Sequence, residues 1–517
     1  MHQLRLRAIV PVIAAGLLAL SACGPATLTP SPKALELTRA AKLPTPTAYV
    51  YKTATPAGIA ARMATSEDWL AYFNTSLLPY WSHPDAFGEP VGSFPSVRCN
   101  DGKKVDRAKP CPEVKKNDWL MQNTQHVVAV SRQTYGYCVA FHLTGDVKYL
   151  RLAKAGADYI RNNAFDRKNG GIAHVFNRDA QRWEPEPGFR DPQQLAYGLQ
   201  GIAMYYYITR DPEVLPDILA VQRYIMDAYR RDTKNALVWH LEGEQSETLK
   251  LTAQLDQLNA YMLMMDPLLP PDVQKSWRAD MLSLTKSMRD LFYAPEDNLF
   301  FLTATKPEEI GTKNADTDFG HTIKSFWMMR FVGIAVGDDA MVEFAEEHGL
   351  RVLERAYDVG PGAWVSGINK GGAVNRAKEW WIYNELDQFT ATMAMSEPDH
   401  ALAKQYLPRT NAYWFARFVR PEGEAYSSVK ADGTPDTFWP TAWPWKNAYH
   451  TFEHAMIGYL SASMFEGKPA TLHYAFVAEP PRDSIRPYLY RGTLADLKTA
   501  APVDGVTVYT ATWRDIK

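Results

Sequence analysis

The chain is poor in cysteine: it has four in 517 residues, Cys23, Cys99, Cys111 and Cys138. A fold held by a framework of disulfides is therefore excluded. Neither sign of charge is in excess. Lys and Arg number 56 against 58 Asp and Glu, a formal net charge of −2. That balance lacks the basic footprint of a nucleic-acid partner. After the N-terminus there is no apolar run long enough to span a bilayer. The chain also lacks a P-loop, a dinucleotide fingerprint and a serine-nucleophile elbow. Aromatics are plentiful, 12% of residues with 15 Trp, which fits both a large core and a carbohydrate cleft.

Residues 1–22 read as a targeting segment. Arg5 and Arg7 form its charged start, and Ala8 to Leu20 form its apolar run. Leu20-Ser21-Ala22-Cys23 looks like a bacterial lipobox. It implies cleavage before Cys23 and lipid attachment there, so the expected address is the cell envelope, with the lipid as the only membrane contact. Residues 23–60, rich in Pro, Thr and Ala, read as a flexible tether. Cys99 and Cys111 bracket a polar loop. An exported protein meets an oxidising compartment, so these two are expected to pair. Cys138 lies in an apolar helical pattern and reads as a buried small residue.

The body of the chain repeats. Arg132, Gln194, Asn259, His321, Glu385 and His450 follow one another at gaps of 62–65 residues. Asp146, Asp211, Asp272, Asp338 and Asp399 run in parallel at 61–66. A fixed period of this size signals stacked supersecondary units. Each of the first five units reads as a mostly buried helix, a short Asp-containing turn and an outer amphipathic helix. The buried helices are expected at Val127–Leu143, Arg190–Ile208, Leu251–Met265, Phe319–Val336 and Glu379–Met395. A sixth runs from Ala448 to Met464. Six such helices suggest closure into an all-α (α/α)6 barrel over residues 61–464. The polar positions sit in the first halves of their helices and should meet at one mouth. Residues 465–517 turn β-prone at 471–476, 488–490 and 506–509, and read as a small β-rich C-terminal extension.

Two of the repeat positions are histidines, each near a Trp. Neutral imidazole can take a proton and imidazolium can give one, so a facing pair can serve as base and acid. His321 and His450 are the expected catalytic pair.

These segments resemble the N-acylglucosamine 2-epimerase and cellobiose 2-epimerase family over about residues 120–465. Ser131-Arg132-Gln133-Thr134-Tyr135-Gly136 is similar to its first inner-helix motif, and Leu258-Asn259-Ala260 to its third. Gly320-His321 with Trp327 is similar to the fourth, and Lys378-Glu379-Trp380-Trp381 with Glu385 to the fifth. Trp445 with His450 is similar to the sixth. The resemblance implies proton exchange at C2 of a reducing mono- or oligosaccharide by His321 and His450 through an enediolate, with neither metal nor cofactor. Return of the proton to C2 inverts it; delivery to C1 gives a ketose. By resemblance Arg132, Asn259, Trp327, Trp380, Trp381, Glu385 and Trp445 bind the sugar. The chain departs from the family pattern at Leu263, where disaccharide-active members carry His, and at Lys324, where an acidic residue is usual. An ammonium at 324 is expected to lower the basicity of His321.

Other readings stay open. Asp256 with Glu385, or Asp316 with Asp318, could form a glycoside hydrolase pair. His450 and His454 have helical metal-ligand spacing without an evident third ligand. A non-catalytic glycan-binding lipoprotein would also keep the aromatic cleft.

Overall fold

The computed structural model describes residues 62–304, 316–369 and 372–517, with two short strands, Ala54–Thr55 and Gly58–Ile59. The signal segment, Cys23 and most of the tether lie outside the described residues. Among the described residues no helix is long and apolar enough to cross a membrane.

Twelve main helices build the body. They are α1 (Ser66–Tyr72), α2 (Val127–Thr144), α3 (Val147–Asn163), α4 (Pro192–Thr209), α5 (Leu215–Tyr229) and α6 (Leu251–Gln257). They continue with α7 (Pro271–Phe292), α8 (Phe319–Val336), α9 (Asp339–Ala356), α10 (Trp380–Ser396), α11 (Ala401–Tyr413) and α12 (Ala448–Phe465). The even-numbered helices form the inner ring, and α12 packs back on α2, which closes it. The chain has the (α/α)6 barrel fold.

Burial follows sequence chemistry. In α2 every residue from Val127 to Leu143 is buried, because both its faces meet other helices. The outer helix α3 buries only one stripe, which includes Tyr149, Leu152, Ala153, Ala157 and Ile160. The repeated aspartates start outer elements. Asp146 caps α3 by accepting from the Lys148 amide, and Asp338 caps α9 by accepting from Met341. Each follows a glycine in the left-handed region, Gly145 at φ 70° and Gly337 at φ 75°, where the inner helix must stop.

The sixth outer helix comes from the start of the body. α1 runs through a π turn at Phe73–Leu77 into Leu78–Trp81 and packs on α12. Gly458 makes this possible: a Cβ there would sit 2.3 Å from the Trp69 ring.

Two local expectations are corrected. The third inner helix is not continuous from Leu251 to Met265, since a π turn at Leu258–Met262 interrupts it. The wider turn leaves Asn259 half-buried while Leu258 and Ala260 on either side are buried. The C-terminal sheet uses β1 (Ala470–Phe476), β2 (Thr493–Thr499) and β3 (Thr507–Arg514), antiparallel in the order β1-β3-β2. Residues 488–490 are not a strand. Tyr488 has φ 63°, and its hydroxyl enters the barrel to meet Tyr135 at 2.9 Å and the Glu453 carboxylate. The extension therefore closes the floor, where Val477 donates to the Thr209 carbonyl at the end of α4. The mouth lies at the other end, where the inner helices begin.

Candidate active site

The mouth opens on a cavity of about 290 Å³. Arg132, Tyr197, His321, Lys324, Trp381 and His450 line its base, and Trp380, Trp439, Trp443 and Trp445 line its wall. The volume and the aromatic wall suit a sugar ring.

His321 and His450 are each the third residue of their helix, α8 and α12. Both line this one cavity. Trp381 lies beside both, with ring centroids 4.7 Å from His321 and 6.2 Å from His450. Gly320 allows this, because a Cβ there would stand 2.6 Å from the Trp381 ring. A second anchor, the Trp381 indole N–H, bonds Glu379 at 2.9 Å.

The two imidazoles have opposite surroundings. Asp318 caps α8, accepting from the His321 amide at 2.6 Å, and its other oxygen meets His321 Nδ1 at 2.6 Å. Burial works against the imidazolium, but the charge and hydrogen bond of Asp318 outweigh it. The His321 pKa therefore lies above the ordinary histidine value. His450 has Asn447, a neutral residue, as its cap. Burial, then the charges of Arg132, Lys324 and His321, hold its pKa well below the usual value. Its nearest carboxylate oxygen, on Glu385, is 3.8 Å from Nδ1, beyond hydrogen-bond range.

Arg132 lies over the Tyr197 ring at 3.9 Å and donates to the Trp445 carbonyl at 2.9 Å. The loop carrying Trp445 is anchored by Lys446, whose ammonium bonds Glu424 at 3.0 Å and the Thr441 carbonyl at 3.2 Å. Trp439 stacks on Trp443 at 4.5 Å.

Lys324 occupies a buried charge cluster. Its ammonium stands 3.5 Å from Asp256, 3.5 Å from Glu385 and 3.4 Å from the Tyr197 hydroxyl. Burial opposes its charge, but Tyr197, Glu385 and Asp256 outweigh burial and raise its pKa. Lys324 does pull His321 downward, as the sequence suggests, yet Asp318 reverses the net direction. The carboxylate that tunes this histidine stands three residues before it, not three after.

Two expected sugar contacts, Trp327 and Glu385, lie behind the cavity wall, and a third, half-buried Asn259, is not among the lining residues. Trp327 is 2% exposed and gives its indole N–H to Glu385 at 2.8 Å. Glu385 is 1% exposed and is held by that bond and by Lys324. Asn259 donates to the Tyr197 hydroxyl at 3.4 Å and accepts from Tyr449 at 3.1 Å. All three brace the residues in front of them. Leu263 does not line the cavity, so its difference from the family pattern leaves this wall intact.

The other candidate groupings come apart. Asp256 and Glu385 are both committed to Lys324. Asp318 is committed to His321, while burial and the Asp318 charge raise the Asp316 pKa. His454 bonds Asp387 at 3.0 Å behind the barrel wall and does not line the cavity. Cys99 and Cys111 are joined in a disulfide, so their cluster with Glu113 offers no thiolate to a metal. Cys138 is buried.

Sequence reasoning missed Tyr197, Glu379, Trp439, Trp443 and the tuning role of Asp318. The signal for Asp318 was available, since an Asp three residues before His321 is an N-cap with a free second oxygen.

No protein-family model matches the chain. It is similar to the cellobiose 2-epimerase of Ruminococcus albus, with 22% identity over 341 residues, 63% of this chain and 84% of that protein. Its fold matches the cellobiose 2-epimerase of Bacillus thermoamylovorans with a TM-score of 0.62 at 16% identity, covering 76% of this chain and 98% of the other. A D-mannose isomerase matches with a TM-score of 0.60 at 15% identity, over 76% and 96%. The sequence is thus similar to cellobiose 2-epimerases, and the barrel fold is the one that cellobiose 2-epimerases and a D-mannose isomerase share.

Proposed function

We propose that this protein is a sugar 2-epimerase or aldose–ketose isomerase working by proton transfer between His450 and His321. The carrying observation is the pair itself: two imidazoles in one sugar-sized cavity, one environment favouring the neutral form and the other the charged form. Groups whose surroundings push their pKa values apart divide base and acid roles between them.

In this reading His450, neutral, removes the proton from C2 of the open-chain aldose. The C2–H electron pair forms the C1=C2 bond, and the carbonyl pair moves onto O1. Arg132, with its fixed fork and its place in the lining, balances the enediolate charge. His321, protonated and held by Asp318, returns a proton. Delivery to the opposite face of C2, with C1=O re-forming, gives the epimer; delivery to C1, with the O2–H proton passing to O1 as C2=O forms, gives the ketose. Trp381, packed beside both rings, holds the sugar between them.

A hydrolase is disfavoured by the commitments of Asp256, Glu385 and Asp318 described above. The test is incubation in D2O with cellobiose, mannose, glucose or N-acetylglucosamine, followed by NMR. Deuterium at C2 with inverted configuration identifies the epimerase, and deuterium at C1 with a ketose product identifies the isomerase. Sugar binding without exchange would reassign the chain as a glycan-binding protein. We also propose lipid attachment at Cys23, which places the enzyme at the cell envelope. Labelling with a fatty acid should be lost in Cys23→Ser.

A further inference from the structure

A second cavity, of about 240 Å³, lies at the floor of the barrel. It sits between the late turns of the third, fourth and fifth inner helices and residues 486–491 of the C-terminal extension. Five cationic side chains line it, Arg278, Arg330, Arg486, Arg491 and Lys517, against one acidic side chain, Asp266.

Two of the cations are matched. Arg278 grips Asp266 through two bonds, at 2.8 and 2.9 Å. Arg330 bonds Glu346 at 2.8 Å and Ser396 at 3.2 Å. Arg486, Arg491 and Lys517 form no ion pair among the described residues. Nor does any of the three side chains donate to a helix-end carbonyl there, so helix capping does not account for them. Their backbones are fixed: Arg491 and Lys517 exchange two main-chain hydrogen bonds of 2.9 Å, and the Arg486 carbonyl accepts from Tyr207 and Tyr474. Arg486 is half-buried, and burial followed by the neighbouring charge of Arg491 depresses its pKa. Three unmatched like charges held around a concave space repel one another, and an oxyanion with two or more charges removes that repulsion. Guanidinium forks suit phosphate oxygens in particular.

We propose that this floor cavity binds a phosphate group, held by Arg486, Arg491 and Lys517. The phosphate comes either from a small soluble phosphate ester or from the headgroup of an anionic lipid, and the arms of the test separate them. Calorimetry on the full chain at low ionic strength uses inorganic phosphate and glycerol phosphate as probes. Vesicle flotation uses the Cys23→Ser chain with phosphatidylglycerol against phosphatidylcholine. The variants are Arg491→Gln with Lys517→Gln, both at exposed positions, and then Arg486→Gln. Saturable phosphate binding, weakened at least tenfold in the double variant with an unchanged circular dichroism spectrum, supports the site and assigns it to soluble phosphate. Selective flotation with phosphatidylglycerol, lost in the same variant, assigns it to the headgroup. Absence of both, or binding unchanged in the double and triple variants, overturns the proposal.

Discussion

The starts of α8 and α12 are equivalent turns of one repeat, with a histidine at the same third position, yet they push the pKa of that histidine in opposite directions. Both rings sit at the positive end of a helix dipole, which disfavours imidazolium. At α8 the cap is Asp318, whose second oxygen reaches the ring at 2.6 Å. At α12 the cap is the neutral Asn447, and Arg132 and Lys324 add positive charge. The cap residue, Asp in one unit and Asn in the other, thus contributes to the difference between the two rings, together with burial and the neighbouring cations. The repeat places two identical groups, and the cap and neighbouring charges make them different.

The severest test removes the groups themselves. His450→Ala and His321→Ala should each lower kcat/KM about 10²–10⁴-fold. The double variant should be no worse than the poorer single one, because the two act as a unit. Retention of substantial activity without one of the rings would end the comparison. The next effect concerns stability. Lys324→Met leaves Asp256 and Glu385 buried without their shared cation and should cost about 3–5 kcal/mol in urea unfolding. An unchanged midpoint would mean that Lys324 acts only on the histidines.

Asp318→Asn sharpens the comparison, since Asn keeps the cap but removes the charge. The sign follows from the proposed roles. His321 must carry a proton to donate it, and Asp318 keeps that proton on above the ordinary histidine pKa. His450 must be neutral, and its depressed pKa keeps it so down to acid pH. The wild-type pH profile should therefore be a broad plateau that falls on the alkaline side as His321 deprotonates. In the variant the alkaline limb should move to lower pH, with about a tenfold loss at pH 8 per unit moved. An unmoved limb would assign that titration to another group.

Much of this was legible in the sequence because it rests on period and spacing. The barrel follows from the 62–65-residue repeat, and the shared cavity follows from Arg132, His321, Trp381 and His450 all lying in the first halves of their helices. What escaped depends on contacts between units. Trp327 and Glu385 read as sugar ligands, because burial behind a wall leaves no mark on a motif. Lys324 read only as a departure that lowers the basicity of His321, because its partners Asp256 and Glu385 stand 68 and 61 residues away (324 − 256 and 385 − 324) on neighbouring helices. Trp439 and Trp443 lie in an irregular loop where no periodicity shows which ring meets which. Tyr488 read as part of a strand, because an aromatic side chain aimed into a barrel floor looks β-prone in sequence.

The smallest expected effect reaches from that floor toward the site. Glu453 on α12 is 3% exposed and accepts from the Tyr488 hydroxyl. Burial, then the charge of Glu385, pushes its pKa up to about 7. A carboxyl whose folded pKa exceeds its unfolded value stabilises the fold fully below the unfolded value, and that contribution is lost as pH rises to the folded one. Wild-type stability should therefore decline between about pH 4.5 and 7 on account of this group. Glu453→Gln keeps the shape without the titration, so the two proteins should diverge as pH rises. At pH 8 the variant should melt about 2–4 °C higher. Parallel melting curves across that range would mean that Glu453 is ionised throughout, and that the negative charge beneath His450 is balanced by Lys324 rather than removed by a proton.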